Sequence, residues 1–318
     1  MGKVRKLKKR TLIIYPYKTD ACFGCNSIFI ASNWTIKVII NSICVCGAGT
    51  MGSSIAQAAA QAGFYTLLYE LNPGVLEKAR TGIDKNLQSL VEKGKIAAAE
   101  KEKIQQRIHF TDDIQACLAD VFIEAIIEKP EIKIALFNQL AELNHSESIF
   151  ASNTSSLSVS KIAAGVMSPQ RVIGMHFFNP ATIMKLVEVV NTQYTNTQTT
   201  ETIVELARQM GKVPVICKDS PGFIVNRVAR PYYIESLRLV EEGIADVSTA
   251  DKLLEATGFK MGPFRLMDLI GNDINYAVSC SVYEQMNKPE RLKPSYMQEQ
   301  KVKEGKLGKK TGEGYYKY

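Results

Sequence analysis

The chain is 318 residues long, 46% hydrophobic and 22% charged, with a net charge of +7. That is room for one large domain or two ordinary ones, and no apolar run reaches the roughly 18–20 residues of a membrane-spanning helix. The positive excess sits in the first 40 residues, which hold eight Lys or Arg against Asp20 alone; the rest of the chain is neutral overall and shows no charge excess of the kind that binds nucleic acid.

Residues 1–37 make up this basic leader. A secretory signal needs an apolar core of about 7–15 residues before a small-residue cleavage site, and "TLIIY" is too short. The leader is expected to be disordered or dispensable. Cys22 and Cys25 make a lone Cys-x-x-Cys with no second pair at zinc spacing, so no metal site is expected. The seven cysteines are odd in number and scattered, which fits free thiols in a reducing, cytoplasmic setting.

The ordered pattern begins near Lys37. "KVIINSICVC" reads as a strand, "GAGTMG" as a glycine turn, and the Ala-rich "SSIAQAAAQAGF" as a helix stopping at Gly63. "YTLLYE" is a second strand ending in Glu70. From Pro73, apolar residues recur at Val75, Leu76, Ala79, Ile83, Leu87, Leu90 and Val91, steps of three and four that mark an amphipathic helix. "AAAEKEKIQQRI" is a further helix, and "IHF" and "DVFIEAI" are strands. Ile132, Phe137, Leu140 and Leu143 trace the next helix, followed by the strand "SIFASN". Strands alternating with helices predict right-handed βαβ units on a parallel sheet. After "VPVIC", the run Lys218-Asp219-Ser220-Pro221-Gly222 is a turn-rich break. It divides an α/β domain over 38–218 from a helical domain over 219–318, whose helical patterns cover 223–243, 247–258 and 263–286.

Gly47-Ala48-Gly49-Thr50-Met51-Gly52 fits G-x-G-x-x-G. The three glycines serve the tight turn, the close approach of a pyrophosphate and the packing of helix on strand; the helix start then offers free N–H groups to the phosphates. Glu70 ends the next strand 18 residues after Gly52. A carboxylate there can accept from both ribose hydroxyls and would repel a 2′-phosphate, which favours NAD over NADP.

Burying an ionisable group on an apolar strand is costly unless something pairs with it. "RVIGMHFFNPATIMKLVEVV" buries two, His176 and Glu188. Pairing of its two strands antiparallel around "NPATIM" would let the carboxylate meet the ring, fix its tautomer and leave the second nitrogen facing a cleft, as in a general-base pair. A structural His–Glu pair is the alternative. The other histidines, His109 in a strand and His145 in the polar "LNHSES", read as packed and solvated. "ASNTSSLS" puts Asn153, Thr154, Ser155 and Ser156 at the carboxyl end of a strand, where ligands bind, and "SPGFIVNRV" puts Asn226 at the start of the second domain. A serine turn and a capping asparagine explain these two equally well.

Together, "GAGTMGSSIAQ", "VFIEAIIEKPEIK", "FASNTSSLS", "GMHFFNP", "MKLVEVV", "KDSPGFIVNR", "MGPFRLMDLIG" and "GKKTGEGYYKY" resemble the L-3-hydroxyacyl-CoA dehydrogenase family in its short, stand-alone 3-hydroxybutyryl-CoA form. The resemblance implies a Rossmann-type, mostly parallel sheet domain followed by an all-helical C-terminal domain that forms a homodimer. It implies NAD-dependent oxidation of a (3S)-3-hydroxyacyl-CoA, of the 3-hydroxybutyryl or 3-hydroxyadipyl type, to the 3-oxoacyl-CoA. By motif, His176 is the general base and Glu188 its orienting partner, with Ser155 and Asn226 on the reacting oxygens. Ser155 and Asn179 lie near the nicotinamide; Glu128, Lys133 and Lys310 are cofactor contacts; Asn86 and Lys93 align with coenzyme A contacts, a solvated helix face being the equal reading. Glu70 stands where aspartate is common and Ser53 where glycine is often found. Pro130 requires a first-turn position. A dehydrogenase of a small free hydroxy acid, or an NAD-binding protein without chemistry, are the competing expectations.

Overall fold

The structure is a computed structural model that describes residues 39–318, so the basic leader and the Cys22–Cys25 pair lie outside the described residues. The first predicted strand is β1 (Ser42–Cys46), followed by helix α1 (Thr50–Gln61) and strand β2 (Tyr65–Tyr69). Asn72 caps α2 (Pro73–Glu92) by accepting from the Gly74 and Val75 N–H groups, with Pro73 at the first helical position, where its missing N–H costs nothing. Next come α3 (Ala98–Arg107), β3 (Ile108–Thr111) and β4 (Val121–Glu124). Helix α4 (Pro130–Leu143) does start on its proline. Then follow β5 (Ile149–Ser152), α5 (Val159–Ala164), β6 (Val172–Phe177), β7 (Leu186–Asn191), α6 (Thr197–Gln209) and β8 (Val213–Lys218).

The eight strands form one sheet in the order β3-β2-β1-β4-β5-β6-β7-β8. All neighbours are parallel except β6 and β7. Strand order reverses at β1, with β2 on one side and β4 on the other. That opens a crevice at the carboxyl ends of the strands. One sheet face buries Cys44, Cys46, Phe122 and Phe150 against Phe137 and Leu140 of α4.

Beyond β8 the chain is helical: α7 (Val225–Glu241), α8 (Val247–Ala256), α9 (Pro263–Ile270), α10 (Asn272–Gln285) and α11 (Tyr296–Lys303). The single helical pattern expected over 263–286 is two helices. Gly271 breaks it with φ of +105°, a conformation open to glycine and poor for other residues. No helix among the described residues is long and apolar enough to cross a membrane.

Candidate active site

The glycine loop joins β1 to α1 at the strand-order reversal. A Cβ on Gly52 would lie 1.7 Å from the Gly47 carbonyl oxygen, so only glycine lets α1 approach β1 this closely. A Cβ on Gly49 would meet nothing within 4 Å; the loop backbone there faces open space. α1 begins without a side-chain cap, leaving its first N–H groups for an anion. The residues therefore fit a dinucleotide pyrophosphate. Gly52→Ala is expected to weaken NADH binding at least about tenfold by pushing the helix from the loop; fluorescence titration of NADH against wild type checks this.

Glu70 follows β2 and stitches two turns together. Its Oε2 accepts from the Ala48 N–H at 3.0 Å and its Oε1 from the Asn72 N–H at 3.1 Å. The carboxylate thus has its position set beside the loop and remains half-buried.

A second carboxylate organises the serine stretch after β5. Glu128 Oε1 accepts from the Thr154 hydroxyl, from the Ser155 N–H at 3.2 Å and from the Ser156 hydroxyl at 3.2 Å. Its Oε2 pairs with the Lys133 ammonium at 2.9 Å. Lys133 is buried, 1% exposed, and also pairs with the buried Glu124, which accepts from the Ser152 hydroxyl at 2.7 Å. Lys133 therefore acts on the crevice through Glu128, with its own charge enclosed. Burial raises the Glu124 carboxyl above its ordinary range despite Lys133. At Glu128 burial pushes the same way, but Lys133, Thr154 and Ser155 outweigh it and the carboxyl lies below its ordinary range. Glu124 and Ser152 are absent from the sequence-based candidates. The signal was available: Glu124 is a lone acid inside the apolar "VFIEAI", the same pattern that singles out Glu188 in "KLVEVV".

His176 and Glu188 are direct cross-strand partners in the antiparallel β6–β7 ladder, so their side chains share a sheet face. His176 Nδ1 lies 2.7 Å from Glu188 Oε2, and both residues are buried. Nε2 has no hydrogen-bond partner among the described residues. Phe178 and Phe223 flank the ring at centroid distances of 4.6 and 5.8 Å. Glu188 does more than the pattern implies. Its Oε1 accepts from the Ile224 and Val225 N–H groups at 3.0 and 2.9 Å, so the same carboxylate caps α7 at its positive end. Burial alone would raise this carboxyl; the hydrogen bonds from His176 and Val225, the His176 charge and the bond from Ile224 outweigh it, and it lies below its ordinary range. Asn153, singled out with the serine stretch, accepts from the Phe177 N–H at 2.8 Å and ties the end of β6 to β5.

The cap brings α7 to the serine loop. Asn226 donates through Nδ2 to the Ser155 carbonyl at 3.3 Å, while Ser281 and Gln285 of α10 donate to the Ser156 carbonyl. The Ser155 hydroxyl makes no hydrogen bond among the described residues. Four expected residues stand apart from this cluster. Asn179 is exposed on the β6–β7 connection. Lys310 pairs with both oxygens of Asp273 at 2.7 Å, within the helical region. Asn86 is exposed on α2, and Lys93 is exposed just past its end. A cavity of about 370 Å³ beside α2, lined by Arg80, Asp84 and Phe110 among others, does not include them; Asn86 projects roughly 200° around the helix from Asp84.

Residues 42–220 match the family model described as 3-hydroxyacyl-CoA dehydrogenase, NAD binding domain, and residues 222–318 match 3-hydroxyacyl-CoA dehydrogenase, C-terminal domain. The chain is 46% identical over 283 residues to 3-hydroxyadipyl-CoA dehydrogenase of Escherichia coli, covering 88% of this chain and 60% of that relative. It is 40% identical over 293 residues to the mitochondrial hydroxyacyl-coenzyme A dehydrogenase of Sus scrofa, covering 89% of this chain and 92% of the relative. A crystal structure of 3-hydroxybutyryl-CoA dehydrogenase from E. coli superposes with a TM-score of 0.85 at 45% identity, over 88% of this chain and 60% of that one. The chain thus spans about three fifths of the length of its E. coli relatives and nearly all of the mitochondrial one. With an NAD-binding domain followed by the family's own C-terminal domain, the chain belongs to the 3-hydroxyacyl-CoA dehydrogenase family of NAD-dependent oxidoreductases.

Proposed function

We propose that this chain catalyses the reversible oxidation of a (3S)-3-hydroxyacyl-CoA thioester to the 3-oxoacyl-CoA. The observation that carries the reading is the buried His176–Glu188 pair at the carboxyl edge of the sheet, beside a loop that fits a dinucleotide. NAD, when bound, supplies the hydride acceptor. His176 Nε2 takes the proton of the 3-hydroxyl as the C3–H bond breaks and the carbonyl forms. Glu188 accepts from Nδ1–H, holds the tautomer and stabilises the imidazolium. The Ser155 hydroxyl and the Asn226 amide hold the reacting oxygens where charge develops, and Glu128 fixes the backbone carrying Ser155. Glu70 receives the adenosine ribose; Asn179 and Lys310 approach the cofactor from the connection and the helical region. Asn86 and Lys93 face the coenzyme A moiety, where a lysine acts as a point charge on phosphate.

The test is loss of NADH absorbance with a panel of 3-oxoacyl-CoA thioesters and matching free 3-oxo acids. Thioesters are expected to turn over at least about a hundredfold more efficiently than the acids. Faster turnover of the free acids would move the assignment to a small hydroxy acid, and tight NADH binding without turnover would leave a binding protein.

The domain division lies near residue 219 in this reading, and the helical domain pairs with a second copy. Val228, Ile244, Leu253, Leu269 and Ile274 are exposed apolar residues of the helical region, surface that such a pairing would cover. A solution mass of one chain by light scattering would overturn the dimer. Among the described residues Cys44, Cys46, Cys117, Cys217 and Cys280 are free thiols, which suits a reducing, cytoplasmic compartment.

A further inference from the structure

Arg230 is 2% exposed, on α7 one turn beyond Asn226. Its Nε donates to the Asn226 carbonyl at 3.0 Å, and its Nη1 to the Asn275 carbonyl at 2.9 Å and the Ser279 hydroxyl at 2.8 Å. The Tyr233 ring lies 5.0 Å away. Every partner is neutral; no carboxylate pairs with this guanidinium among the described residues. Burial pulls it down to about 10, so it keeps its charge at neutral pH. A buried cation without a counter-charge is costly.

Beside it lies a donor with no acceptor. Asn275 is 1% exposed. Its Oδ1 accepts from Gln298 at 3.2 Å and faces Arg230 Nη1 at 3.5 Å, while its Nδ2 is buried with no acceptor. Such orphaned groups are rare in folded proteins. A guanidinium with no counter-charge beside it and an amide donor with no acceptor are the chemistry that takes a carboxylate.

Their place in the fold says where that carboxylate comes from. α7 and α10 both rest on the Ser155–Ser156 loop through Asn226, Ser281 and Gln285, and Arg230 bridges the same two helices. Arg230 lies four helical steps beyond Asn226, a rise of about 6 Å. In a six-carbon acyl chain whose C3 oxygen is held by Asn226, the terminal carbon lies about 4 Å from C3, within one hydrogen bond of that rise.

We propose that Arg230, with Asn275, is a specificity-determining residue that binds a carboxylate at the far end of the acyl chain, so that the preferred substrate is a 3-hydroxydicarboxylic acid monothioester of about six carbons. This rests on the reaction proposed above. The test compares kcat/KM for 3-oxoadipyl-CoA and 3-oxohexanoyl-CoA with NADH. Wild type is expected to favour the carboxylated thioester at least about tenfold, and Arg230→Met to lower that ratio at least about thirtyfold. Arg230→Lys, which keeps a charge without the fork, should fall between them. The ratio does not depend on how much variant is folded, and the lysine variant carries the test if the methionine variant is insoluble. An unchanged ratio in either variant, or no preference in wild type, overturns the assignment of Arg230. Turnover of neither thioester by wild type overturns the proposed reaction itself.

Discussion

His176→Ala is expected to lower turnover by about 10² to 10⁴, the usual worth of one positioned general base, while leaving NADH affinity close to wild type. The physical reason is separation of tasks. The dinucleotide loop hangs from β1 and α1, whereas His176 stands on β6, two strands beyond β4. In the proposed reaction, deleting the ring removes the proton acceptor, while the glycine loop between β1 and α1 keeps its geometry. In terms of activation energy the loss falls in kcat and kcat/KM together, because the interaction is made as the O–H bond breaks. Stopped-flow turnover of 3-oxoacyl-CoA with NADH, alongside NADH titration, separates the two quantities. Turnover within tenfold of wild type would remove His176 from the reaction.

Glu188→Gln is expected to lower activity by about a hundredfold or more, since an amide neither fixes the His176 tautomer nor stabilises its cation. It is also expected to destabilise the fold, which an orienting residue alone would not. The Glu188 carboxylate joins His176 on β6 to the first N–H groups of α7, so the substitution weakens a charged cap and a buried hydrogen bond at once. An order of magnitude is 1–3 kcal/mol, roughly the worth of hydrogen bonds to a charged group. At domain sizes near this one, each kcal/mol moves the melting temperature by about 2–4 °C. The pH dependence has a definite sign. The folded-state carboxyl lies below its ordinary range; its contribution is therefore complete above the unfolded glutamate value and fades as pH falls through the folded one. Melting temperatures of wild type and variant should differ most near neutrality and converge in acid. A constant gap from neutral to strongly acidic pH would show that the Glu188 charge contributes nothing to the fold.

How far these residues could be found without coordinates follows from the range of the interactions. The glycine loop, Glu70, the His176–Glu188 pair and the sheet's parallel arrangement all rest on local patterns. Period-2 runs, turn residues and an ionisable group in an apolar run act within a few residues of themselves. The antiparallel return around Asn179 is short enough that pairing His176 with Glu188 needs little more than register. Two helices are harder to see. α5 is six residues long and too brief to show a period. The break at Gly271 depends on a backbone angle that a glycine permits without requiring.

The amino-acid sequence alone determined the family, the cofactor and the pairing of His176 with Glu188, because each is written in contiguous motifs whose spacing maps directly onto strand, turn and helix. Only the tertiary structure decided the second duty of Glu188, the Glu124–Lys133–Glu128 chain beneath the serine loop, and the unpaired Arg230 beside Asn275. Those depend on groups 5 to 45 positions apart in the chain meeting in a low-dielectric interior. There a charge must find a partner or wait for one, and which partner it finds is set by packing.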